Sequence, residues 1–168
     1  PVDLLKCDGG TQMRAELSVD VYMDYRDKIL AGVEFPPLDV FYDGSEYWLA
    51  DGFHRFYGHR EAKRASVKCT IHNGTVRDAI LFAVGANDDH GLKRSPRDKR
   101  NSVTTLLADN EWGKRSTNWI AEHAKVSRTL VDDVRKDLER INEPQLVEKQ
   151  VEEKRVGKDG KARKAPAK

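Results

Sequence analysis

Cysteine is scarce in this chain, and long apolar runs are missing from it. Its two cysteines are Cys7 and Cys69. Their separation fits neither a zinc-binding spacing nor a disulfide framework. Both thiols are therefore expected to be unpaired, and the compartment is expected to be cytoplasmic. No apolar stretch approaches the roughly 18 residues that a membrane helix needs, and no signal-peptide pattern opens the chain. The first residue is Pro1 rather than Met, as expected of a fragment or a processed chain. A one-sided charge is also missing, since the formal net charge is +2 over 168 residues. Attraction to phosphate-rich partners then rests on local patches. The length suits one domain with an appendage, or two small domains, and no internal repeat is visible.

Two patches stand out. The run KRSPRDKR at 93–100 has five basic residues and one acid, and residues 154–168 have seven basic residues and one acid. Such patches favour phosphate-rich partners through counterion release. A solvated face is the other reading of each. The periodicity predicts a helix over 18–32 with Gly32 as its stop. A hairpin is predicted over 36–52, turning at Asp43-Gly44. A helix follows over about 53–62, then a strand over 66–72. Thr75 with Asp78, and Ser95-Pro96 with Asp98, are two helix starts of the capping type. Two short helices follow, the last ending at Glu143-Pro144. Residues 148–168 are expected to be a loose tail, or one that needs a partner.

The run ADGFHRFYGHR at 50–60 carries the sharpest chemistry. A strand delivers the chain to Gly52, whose missing side chain lets a ligand approach the backbone. The next residues open a helix, whose first N–H groups have no internal partners and bind anions for that reason. His54 and Arg55 add donors, Arg55 with a bidentate reach. His59 lies on the same helix face as Arg55. Neither histidine has metal-ligand company. A strand, a turn and a helix with a charged outer face fit the same residues. The loop GANDDHGLKRSPRDKR at 85–100 joins two helices. Asn87, Asp88, Asp89 and His90 suit a Mg²⁺-and-phosphate site, or else a polar turn.

With these motifs in place, the chain resembles the ParB/sulfiredoxin superfamily. The order matches: a strand, a glycine turn, a basic pair opening a helix, a strand and a second helix. ParB proteins carry Gly-Glu-Arg-Arg at this turn, and sulfiredoxins carry Gly-Gly-Cys-His-Arg. DGFHR at 51–55 is closer to the second form. The resemblance implies a phosphate cradle at Gly52, His54 and Arg55. Phe53 stands where sulfiredoxins have their nucleophilic cysteine, so sulfinic acid reductase activity is rejected. ParB proteins also carry Glu-Asn-x-x-Arg before a proline-containing helix start that faces a triphosphate. Asn87 matches that Asn, His90 falls at the Arg, and Lys93 and Arg94 precede the helix start. Ala86 replaces the Glu that supports hydrolysis. The string from 35 to 100 also looks like ParB-like single-chain proteins of bacteria, plasmids and phages, a likeness that covers about residues 10–140.

Residues 117–136 fit a helix-turn-helix template. Ile120, Ala121 and Ala124 are its expected buried positions, Val126 fills the turn, Ser127 caps the second helix, and Val131 and Val134 pack it. Trp112 and Trp119 are read as core. Ser127, Arg128, Thr129, Asp132 and Asp133 are expected to face a major groove. Lys125 replaces the glycine usual in the turn, where positive φ is often needed. Over 117–140 five basic residues balance five acidic ones, so DNA affinity needs the neighbouring patches or dimerisation. The expectation is an α+β fold: a small ParB/sulfiredoxin-like mixed sheet with helices over 1–92, an all-α helix-turn-helix domain over 93–143, and a basic tail over 144–168. The expected function is that of a ParB-like DNA-binding protein in transcriptional regulation or in plasmid, phage or chromosome maintenance. A bound nucleoside triphosphate, CTP or ATP with Mg²⁺, would gate it, and a homodimer is one possible state. The rival is a nucleotide-dependent enzyme, an NTPase, small-molecule kinase or nuclease using the same cradle. A third reading is an interaction protein whose two modules are relics.

Overall fold

Leu38 and Val40 are fully buried in one core cluster, and Phe41 belongs to another, so the run 38–42 reads as a strand with two covered faces. The computed structural model describes residues 1–86 and 92–151 and the strands 154–156 and 162–164, with side chains over 1–86 and 92–141. Four strands form a mixed sheet in the order β1-β3-β2-β4. They are β1 (Leu5–Lys6), β2 (Leu38–Tyr42), β3 (Tyr47–Asp51) and β4 (Cys69–Asn73). β2 pairs antiparallel with β3, while β1 and β4 add as parallel neighbours at the two edges. The hairpin loop is organised by Asp43, which accepts the N–H groups of Ser45 (2.9 Å) and Glu46 (2.8 Å) and the Trp48 indole N–H (2.7 Å).

Helices cover both faces. On one face α2 (Phe53–Glu61) sends Phe53 and Phe56 onto Leu38, Val40 and Leu49, and α1 (Val19–Leu30) packs behind α2. Gly58 makes that approach possible: a Cβ there would stand 2.7 Å from the Tyr25 Cβ and 3.2 Å from backbone atoms of α1. On the other face α3 (Val76–Gly85) sets Ala79 against Phe41 and Ala50. Both expected capping boxes are present, Thr75 with Asp78 on α3 and Ser95 with Asp98 on α4 (Pro96–Ala108). A 3-10 turn at Trp112–Lys114 buries Trp112, with the Arg77 guanidinium 4.0 Å from its ring centroid. Next come α5 (Thr117–His123) and α6 (Arg128–Val151). Ile120, Ala121, Ala124 and Val131 are buried, and the Ser127 hydroxyl accepts the Leu130 N–H at 3.3 Å.

The chain divides into two compact units, Pro1–Val131 and Asp132–Lys168. The first holds the sheet together with α4 and α5, because α4 is fastened to the loop after β1 and to the ends of α3 and α5. The second contains the remainder of α6 and an antiparallel pair, β5 (Lys154–Val156) and β6 (Ala162–Lys164). Two expectations change here. The last helix does not stop at Pro144 but runs to Val151. An internal proline costs a helix about 3 kcal/mol, yet the residues after it are mostly strong helix formers. The tail also contains a strand pair, which three-residue strands are too short to announce by alternation.

Candidate functional site

The candidate site begins with an irregularity in the hairpin. Val40 pairs with Leu49, but the next pair is Asp39 with Asp51, so Ala50 is the extra residue of a bulge on β3. The bulge brings two carboxylates opposite each other, an unfavourable pairing unless each has a partner of its own. Asp39 meets the His72 Nε2 at 2.8 Å and Asp51 meets the Arg55 Nη2 at 2.9 Å. Gly52 then takes φ 93° as the N-cap of α2 and makes no side-chain cap bond. A Cβ at Gly52 would stand 2.5 Å from the Leu38 Cδ2 and 2.9 Å from the Arg55 Nη2. Glycine is therefore required here by its left-handed backbone and by the packing of Arg55, rather than by a ligand's approach to its Cα.

Arg55 is held back against the protein. Its Nη1 donates to the carbonyls of Pro36 (2.7 Å) and Pro37 (2.9 Å), while Nη2 serves Asp51. His54 accepts the Ser18 N–H at Nε2 (3.2 Å), so the ring proton resides on Nδ1. Burial, and then the Arg14 charge, lower the His54 pKa against the opposing pull of Asp98. The imidazole is thus a neutral donor. Phe53 packs into the core.

These residues line a cleft of about 650 Å³ within the first unit. Gly52, His54 and Arg55 form one side with Asp39 and Asp51. Tyr25, Phe35, Pro36, Pro37 and Phe82 give it an apolar wall, and Lys125 enters from the turn after α5. Gln12 and Arg14 complete it, and the sequence did not point to either. The Gln12 Oε1 accepts the Arg14 N–H at 2.8 Å, which orients the amide. The Gln12 Nε2 is buried and has no hydrogen-bond partner among the described residues. Arg14 donates to Asp98 (3.0 Å), to the Lys93 carbonyl (3.0 Å) and to the Leu92 carbonyl. Gln12 and Arg14 sit in an aperiodic loop, so no local pattern marks them. The glycine-type turn occupied by Lys125 was the one available signal.

The other expected phosphate ligands lie elsewhere. His59 is half-buried on α2 and does not line the cleft, and burial, then Arg64 and Arg55, lower its pKa. Lys93 is exposed and meets the site only through its backbone carbonyl. Arg94 is buried, and its guanidinium donates to the carbonyls of Val84 (2.9 Å), Ala124 (3.0 Å) and Lys125 (3.2 Å). It ties helix ends together. Asn87 and His90, with Asp88 and Asp89, lie outside the described residues. Ser127, Arg128 and Thr129 are exposed at the start of α6, and Asp132 is exposed in the second unit. Among the described residues no group of three His, Cys, Asp or Glu side chains is placed to hold a metal ion. No helix described is long and apolar enough to cross a membrane.

No family model and no curated protein matches the chain. Solved structures do. The chain is similar to the C-terminally truncated chromosome-partitioning protein ParB from Caulobacter crescentus complexed to the centromeric parS site, with a TM-score of 0.52 and 15% identity over 80% of this chain and 67% of that one. The same protein complexed with CTP-gamma-S matches with a TM-score of 0.45 and 16% identity, over 80% of this chain and 73% of that one. The mixed four-stranded sheet with its helices is therefore a ParB-like fold.

Proposed function

We propose that this chain is a ParB-like DNA-binding protein whose sheet-side cleft takes a nucleoside triphosphate. The observation that carries the ligand reading is the cleft itself, lined by His54 and Gln12, each of which holds a side-chain N–H with no acceptor among the described residues. The neutral His54 keeps an N–H on Nδ1, and the oriented Gln12 Nε2 has no acceptor among the described residues. The apolar wall of Tyr25, Phe35 and Phe82 suits a flat base, and the helix start after Gly52 suits its phosphates. The described residues do not make a Mg²⁺ site, since Asp39 and Asp51 already serve His72 and Arg55. Mg²⁺ enters this reading only as the triphosphate's own counter-ion.

The DNA reading rests on α5 and α6 as a helix-turn-helix. The buried set Ile120, Ala121, Ala124 and Val131 holds the two helices, and exposed Ser127, Arg128 and Thr129 open the second helix. That is where base contacts are made in this motif. The ParB structure that shares the fold is complexed to parS DNA, which supports the same reading. Transcription control or replicon maintenance by paired copies on paired half-sites is the biological role that fits.

Titration with CTP, ATP and ADP, with and without Mg²⁺ and followed by thermal shift, tests the cleft. Stabilisation by a triphosphate is expected, and none by any of the three would remove the ligand reading. Binding to a DNA fragment library at low salt is expected to fall steeply with salt. Arg128→Ala should weaken it, and an unaltered affinity in that variant would remove α6 from the interface.

A further inference from the structure

We infer that Lys125, in the turn between α5 and α6, is the cation that meets the anionic group of the cleft's ligand. This rests on the reading of the cleft as a phosphate site and adds a second side to it. The ligand would be held from one side by the start of α2 and from the other by the α5–α6 turn.

The charges of the lining are mostly committed to one another. Arg14 and Arg55 both line the cleft, but Arg14 is ion-paired with Asp98 at 3.0 Å and Arg55 with Asp51 at 2.9 Å. Further N–H groups of both are bonded to carbonyls. Asp39 is hydrogen-bonded to the His72 Nε2 at 2.8 Å. His54 is a neutral donor. Lys125 is the remaining cation of the lining, and its exposed side chain makes no ion pair among the described residues. Among the described residues, a polyphosphate entering this cleft therefore finds one cation that is not ion-paired.

The backbone fixes where the side chain starts. Lys125 has φ 50°, a left-handed conformation that glycine adopts freely and other residues under strain. The turn is pinned there: the Lys125 N–H donates to the Glu122 carbonyl at 3.2 Å, and the Lys125 carbonyl accepts from the Arg94 Nη2 at 3.2 Å. Gly85 supplies the space. A Cβ at that position would stand 2.7 Å from the His123 carbonyl oxygen and 3.9 Å from the Lys125 Cε. The lysine stem thus runs along the end of α3 that walls the cleft. Lys63, after α2, takes the same conformation at φ 54° away from the cleft, so what sets Lys125 apart is the place its stem is held.

The test uses wild type, Lys125→Gly, Lys125→Arg and His54→Ala. Each is titrated with CTP, ATP and inorganic triphosphate by calorimetry at low and moderate salt, and the unfolding temperature of each is measured without ligand. Lys125→Gly is expected to keep or raise its Tm, since the strain is relieved. Its affinity for the triphosphates should fall about tenfold, with a shallower salt dependence, and Lys125→Arg should retain binding. Triphosphate affinity in Lys125→Gly equal to wild type, with His54→Ala weakened, would overturn the role of Lys125 and leave the cleft reading standing. A Tm drop in Lys125→Gly would assign Lys125 to packing and likewise overturn it. Wild type binding none of the three probes would overturn both.

Discussion

α2 and α4 both begin with an aspartate–arginine pair beside the cleft, and the two pairs are wired differently. At α4 the carboxylate of Asp98 sits on the helix's own start. It accepts the Ser95 N–H (2.8 Å), the Ala15 N–H (2.8 Å) and the Arg14 guanidinium (3.0 Å), while the Ser95 hydroxyl accepts the Asp98 N–H (3.1 Å). α3 is closed in the same way by Thr75 and Asp78. At α2 the N-cap is Gly52, which has no side chain to cap with, and Asp51 gives an oxygen to Arg55 one turn along. A start closed by its own carboxylate has no need of an outside anion. Two helix starts at the cleft lack such a closure: at α1 the Ser18 N–H is taken by the His54 Nε2 at 3.2 Å, whereas at α2 no side chain caps the start.

Asp98→Ala is the severest way to break this comparison. Burial raises the Asp98 pKa, but the Ala15 and Ser95 N–H groups, the Ser95 hydroxyl and Arg14 outweigh it and hold the pKa below the ordinary carboxylate value. Removing one partner of such a buried pair costs about 3–5 kcal/mol, read by urea denaturation. Because the folded pKa is depressed, the contribution of Asp98 is complete above the unfolded value of about 4 and is lost as pH falls through the folded one. The difference between wild type and Asp98→Ala should therefore shrink in acid. A constant difference across that range would mean that the carboxylate is not the stabilising group.

Gly52→Ala comes next, at about 2–3 kcal/mol, from left-handed strain plus the overlap with Leu38 and Arg55. It should also weaken triphosphate binding, because it displaces Arg55 and the start of α2. Loss of stability with full ligand affinity would detach Gly52 from the site. Asp78→Ala sharpens the contrast as a cap far from the cleft. It should cost about 1 kcal/mol with no effect on any ligand, and an altered ligand affinity would show that helix capping and binding are not separable here.

Local rules made much of this legible. The two capping boxes, the Asp43-Gly44 hairpin and the helix opening after Gly52 are short-range patterns, and each stands where its residues placed it. The packing of Arg94 was not legible, because KRSPRDKR reads as a uniform basic run. Only the meeting of three chain segments shows that one of its arginines serves the carbonyls of Val84, Ala124 and Lys125. Gln12 and Arg14 were hidden for a related reason. They reach the cleft from a loop, and the two-residue strand before it is too short to carry a period. The bulge at Ala50 depends on pairing with β2 and leaves no mark in β3 alone.

The smallest expected effect concerns the ring that α2 contributes in place of a cap. His54 accepts the Ser18 N–H at the start of α1, and only the neutral imidazole can do so. Burial and Arg14 put its folded pKa below the ordinary 6.5. The unfolded chain then takes up the proton first as pH falls. The stability tied to the neutral ring is present above about pH 6.5 and drains away below it, so the thermal midpoint should decline between neutral and mildly acid pH. His54→Gln puts a non-titrating acceptor near the Nε2 position, and its decline should be shallower. What decline remains would come from His59, whose pKa is lowered by burial, Arg64 and Arg55. Midpoints that fall equally in wild type and His54→Gln would mean that the Ser18 bond is not what acid breaks, and the neutral donor at the start of α2 would lose its support.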